Sequence, residues 1–136
     1  MNPRIKNVLA VIAGVLAGGF VNMGLLIGGS LLIGVPEGVN VWNPDSLAQN
    51  IHRFQTHHYI TPFLAHAGGT FVGALVVSLI ATTKRLFFAL FIGGFFLIGG
   101  IVNVINLPAP LWFEALDLIV AYFPMAFLGW KISGKK

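Results

Sequence analysis

Apolar residues fill four blocks of the chain, 8–34, 60–82, 86–107 and 111–130, and polar residues gather between them. Each block is close to or above the roughly 20 residues that a helix needs to cross the hydrocarbon of a bilayer. The pattern predicts an all-α polytopic membrane protein, one transmembrane domain over 1–136 with four helices packed as an antiparallel bundle. The links "TTKR" and "NLPAP" are short enough to force such connections, and in the second Pro108 and Pro110 end one helix and open the next.

One connection is long: "VPEGVNVWNPDSLAQNIHRFQTHHY". Asn43 can cap a helix with Pro44 at its first position, and Leu47, Ile51 and Phe54 then share one face. This predicts a short interfacial helix over about 44–56, lying on the outer membrane surface with Trp42 and Tyr59 at headgroup depth. Thr61 is expected to cap the second span, with Pro62 at its first position.

Composition agrees with this picture. Hydrophobic residues make up 57% of the chain and charged residues 9%, where a soluble domain carries about 25% charge. The first block is longer than the roughly 7–15 apolar residues of a cleaved signal, so it is expected to persist as an anchor. Cysteine is absent, which excludes disulfides, thiolate metal sites and cysteine catalysis. The net charge of +4 matters by position: Arg4, Lys6, Lys84, Arg85, Lys131, Lys135 and Lys136 flank one set of helix ends, and Arg53 alone lies at the other. By the positive-inside rule both termini are cytoplasmic. Basic residues that hug helix ends serve orientation and contact with anionic lipid, so the bilayer is the expected partner and nucleic acid is not.

The acids and histidines fall in the opposite half. His66, Thr70 and Gly73 share a stripe on the second span, Gly14, Gly18 and Asn22 on the first, Asn103 and Asn106 with Gly99 on the third, and Glu114 and Asp117 with Ala121 and Pro124 on the fourth. Small residues on the same stripe let membrane helices approach closely, so these polar groups are expected to point inward. By the roughly 1.5 Å rise per residue, His66, Asn103 and Glu114 lie at a similar height on the outer side of their helix centres, with Asp117 somewhat deeper and Asn22 near the midplane. A carboxylate in hydrocarbon costs at least ~2.5–3.5 kcal/mol, so Glu114 and Asp117 need a partner, and His66 is the nearest one. The expected polar pocket is His66, Glu114, Asp117, Asn103, Asn22 and Thr70, with Glu37, His57, His58 and Asn106 on its outer rim. For Asn22 and Asn103, interhelical fastening suffices.

Other chemistries are less well served. His66, Glu114, Asp117 and a loop histidine are suitable metal ligands, yet no H-E-x-x-H or E-x-x-H spacing occurs, so a metal is left open and no cofactor is expected. A bis-histidine haem needs two imidazoles at one depth, and only His66 is intramembrane.

The chain also contains a candidate repeat. "GGFVNM" in the first span matches "GGIVNV" in the third, and "PFLAH" matches "PLWFE", which aligns Asn22 with Asn103 and His66 with Glu114. A two-plus-two arrangement of the kind some transporters use would follow. The segments "PEG", "PFLAHAGGTFVGA", "LIGGIVN", "LPAPLWF", "LDLIVAY" and "PMAFLG" resemble a group of small, functionally uncharacterised bacterial four-helix membrane proteins. That resemblance implies the architecture and a bacterial inner-membrane setting, and brings no activity or site residues with it.

Three functions are then in competition. The first is an outer-leaflet polar site that handles protons, a cation or a small solute, which at this size implies a homodimer for alternating access. The second is a non-catalytic accessory subunit that docks another membrane protein through its glycine-rich faces. The third is a lipid-active enzyme with Glu114 and His66 as acid and base, for which no nucleophile motif is present.

Overall fold

A computed structural model describes residues 1–136 as an all-helical chain. The first span, α1, runs Pro3–Leu32, beginning before the apolar block because the Asn2 side chain accepts from Arg4 N–H and Pro3 occupies the first turn. It ends before Gly34, whose φ of 87° suits a residue without a Cβ. After the loop come α2 (Pro44–Asn50), two short 3-10 turns (Ile51–Arg53 and Thr56–Tyr59), α3 (Ile60–Ile80), α4 (Arg85–Asn106), α5 (Leu111–Val120) and α6 (Phe123–Ile132). The four spans, Pro3–Leu32, Thr56–Ile80, Arg85–Asn106 and Leu111–Ile132, are long and apolar enough to cross a membrane.

The innermost helix is α3. Of its most apolar stretch 44% is buried, against 17–28% in the other spans, and it touches α1, α4 and α6. Glycine makes this possible. A Cβ added at Gly14 would stand 2.8 Å from the Gly73 carbonyl oxygen, and one at Gly69 would stand 2.8 Å from that of Gly18. The pairs Gly14–Gly73 and Gly18–Gly69 bring α1 and α3 backbone to backbone, antiparallel, in the manner of small-residue membrane interfaces. At the end carrying the termini, Ala10, Ala74, Val77, Ala81, Ala89, Ile92 and Ala126 are completely excluded from solvent. Asn7 fastens that end: its Nδ2 donates to Thr83 Oγ1 (2.9 Å), and its Oδ1 accepts from the Thr82 backbone N–H (2.9 Å).

Three expectations are corrected. The interfacial helix is shorter than 44–56: α2 stops at Asn50, and its apolar face, Leu47, Ile51 and Phe54, turns inward onto Tyr59 and Phe113 instead of lying in lipid. Asn43 does cap α2, accepting from Ser46 N–H at 3.0 Å. Thr61 does not cap the second span, because the 3-10 turn Thr56–Tyr59 runs directly into α3, leaving the Thr61 hydroxyl buried and unpartnered. The last span, finally, is two helices. Pro124, in the first turn of α6, has no N–H to give and its ring crowds the carbonyl of Val120, so α5 ends with Ala121 as its cap, still αR, and Tyr122 leaves the helix at φ −111°, ψ −83°.

Candidate functional site

The break in the last span fixes the site. Its second turn carries Asp117 and its non-helical link carries Tyr122, both facing α3. His66 Nδ1 lies 2.9 Å from each carboxylate oxygen of Asp117, and the Tyr122 hydroxyl donates to Asp117 Oδ2 at 3.2 Å. The His66 and Tyr122 rings stack with centroids 5.9 Å apart. Asp117 is 4% and Tyr122 2% exposed, so the carboxylate has exchanged water for two donors, as a buried charge must. The Tyr122 ring fits because residue 100 is glycine; a Cβ there would collide with the phenol.

Every hydrogen bond of the His66 ring runs through Nδ1, which leaves Nε2 free. A carboxylate on Nδ1–H fixes the tautomer whose Nε2 carries a lone pair; protonation turns the same atom into a donor. No hydroxyl of the chain is hydrogen-bonded to Nε2.

His66 borders two neighbouring cavities. The upper one, about 210 Å³, lies beneath the loop and is walled by apolar groups such as Leu26, Leu47, Phe54 and Phe113, with His58, Glu114 and Asp117 among them. The lower one, about 370 Å³, is bounded by Asn22, Thr70, Phe96, Gly99, Asn103 and Tyr122. His66, Gly100 and Asn103 line both. Thr70 is fully buried and its hydroxyl has no partner in the protein.

The expected constellation is thus only partly assembled. Asp117 reaches His66. Glu114, three residues earlier, borders the upper cavity without any hydrogen bond, so the histidine serves one acid, not two. Asn103 is exposed and Asn22 half-buried; they flank the lower cavity and share no hydrogen bond, which corrects the expectation that they fasten helices. Asn106 is exposed and donates to the Val102 carbonyl of its own helix, so it is not on the rim. Glu37 and His57 are also exposed and border neither cavity, whereas His58 does, accepting Gln55 N–H on Nδ1. The Glu37 contribution is its backbone carbonyl, which accepts from Arg53 at 2.8 Å. No three His, Asp or Glu side chains converge closely enough to hold a metal ion.

Tyr122 is the participant that helical spacing misses. Its signal was the triplet "YFP": a tyrosine in mid-span two residues before a proline that frees it from the helical stripe. Comparison with family models, curated proteins and solved structures finds no match for this chain.

Proposed function

We propose that this protein is a membrane-embedded binding protein for a small, largely apolar solute, held at one polar point by the free Nε2 of His66. The observation that carries the reading is that Asp117 and Tyr122 orient the imidazole at the junction of two cavities whose walls are otherwise mostly apolar or uncharged. Sites of this kind combine an apolar enclosure with few, well-placed polar groups. In this reading the spans form an antiparallel bundle in the inner membrane with both termini cytoplasmic, and the site opens toward the outer half. Asn22 and Asn103 flanking one cavity support the two-plus-two repeat. Binding is favoured over conduction of protons or a cation, because the seven fully excluded side chains from Ala10 to Ala126 form a dry plug between the site and the terminal end.

The test is native mass spectrometry of the full chain released from lipid nanodiscs. Wild type and His57→Leu are expected to carry a bound non-lipid or lipid mass, and His66→Leu and Asp117→Leu to lose it. Equal occupancy in all four removes the reading.

A second reading, docking of another helix or a second copy, has one observation in its favour: Gly24 and Gly28 on α1 face open space one turn apart. In this cysteine-free chain, Gly24→Cys crosslinks to itself under mild oxidation if two copies meet there.

A further inference from the structure

The lower cavity has an open side. Although α1 lies along α3 through its glycines, it meets α4 only sparsely, and the gap between α1 and α4 is bordered by Asn22, Phe96, Gly99, Val102 and Asn103. A Cβ at Gly99 would meet nothing within 4 Å, and Val102 and Asn103 are both exposed. The gap sits at mid-span: Thr70, on its floor, is the central residue of α3. The loop end, by contrast, is roofed by Leu47, Ile51, Phe54 and Tyr59. What reaches such an opening from the side arrives dissolved in hydrocarbon.

The lining also restricts the head of the molecule. No lysine or arginine borders either cavity, and the acids present are Asp117 and Glu114. A phosphate or other anion would be buried there without a counter-charge, which membranes penalise strongly. Polar groups without a partner that border the lower cavity include the Thr70 hydroxyl and the free imidazole nitrogen of His66, a match for one oxygen that accepts or donates a hydrogen bond; the buried Tyr59 and Thr61 hydroxyls, also unpartnered, border the upper one.

We infer that the bound solute is a chain-bearing amphiphile with a small uncharged carbonyl or hydroxyl head, and that it slides in sideways from the bilayer through the cleft between α1 and α4. This rests on the binding reading above and specifies its ligand and route. The head lies on His66 Nε2 and the Thr70 hydroxyl, and the chain trails past Gly99 into lipid.

The probe is a long-chain alcohol bearing a diazirine in its chain, photolysed with the full-length protein in nanodiscs. Labelling is expected on α1 and α4 at the cleft. Gly99→Phe, at a position where an added Cβ meets nothing within 4 Å, is expected to cut labelling about tenfold or more, as is Val102→Trp, while Gly19→Phe, whose Cβ also meets nothing but which lies outside both cavities, leaves it unchanged. The phosphate monoester of the same chain is expected to label the cleft no more than it labels Gly19→Phe elsewhere on its lipid-facing surface. Cleft labelling that persists in both filled variants, or equal cleft labelling by the phosphate, overturns the inference. If the mass bound in native spectrometry survives Gly99→Phe and is lost in His66→Leu, the solute arrives from the loop side: the binding reading stands and the lateral route falls.

Discussion

Asp117 is tolerable in its setting because two donors reach it from different elements, and the two contribute unequally. Hydrogen bonds between membrane helices average about 0.6 kcal/mol and reach about 1.7. Tyr122→Phe removes a side-chain hydrogen bond within the last span and keeps the ring in its slot beside Gly100, so a loss of similar size is expected in reversible unfolding in mixed micelles. His66→Leu strands a carboxylate that is 4% exposed, and breaking a buried pair from one side costs roughly 3–5 kcal/mol. The double variant His66→Leu/Asp117→Leu is expected to recover most of that, since no charge is then left without a partner. Additive losses would mean that the imidazole and the carboxylate are neighbours without coupling.

At the scale of elements, the informative residue is Pro124. Restoring a donor there with Pro124→Ala lets α5 and α6 join into one helix, which rotates Tyr122 off Asp117. In that background Tyr122→Phe is expected to become nearly neutral; an undiminished cost would show that the proline does not set the tyrosine. Gly18→Leu drives a side chain into the Gly69 carbonyl and the Phe96 ring, and overpacking of this kind costs about 1–3 kcal/mol by the same unfolding measurement. Much of this level was legible from spacing alone. The stripe Gly14–Gly18 on the first span and Gly73 of the stripe His66–Thr70–Gly73 on the second fall on the surfaces that meet, since small residues are enriched where membrane helices approach closely; Gly69, which opposes Gly18, lies outside that stripe. Spacing stops short in three places. Glu114 and Asp117 share a face at i, i+3, so the pattern does not separate the acid that reaches His66 from the one that stays a turn away. The apolar side of α2 announces that it is covered, with no indication whether lipid or protein covers it. A proline within an apolar run breaks or merely bends a helix depending on what its neighbours offer the freed carbonyls.

For the whole molecule, the asymmetry of charge and the asymmetry of packing coincide. The basic residues cluster at the plugged, Asn7-fastened end, and the cavities lie toward the other. Orientation is testable directly because cysteine is absent. Gly38→Cys is expected to react with a membrane-impermeant maleimide on intact cells, and Ser133→Cys only after permeabilisation; the reverse pattern would point the cavities at the cytoplasm. Gly100 has a consequence that extends past this one chain. Its missing side chain is the space that the Tyr122 phenol occupies, and that phenol in turn steadies the acid paired with His66. An alanine at position 100 would set its Cβ against the phenol, so a related sequence that keeps the tyrosine is expected to keep the glycine, and His66, Asp117, Tyr122 and Gly100 to be kept or exchanged together.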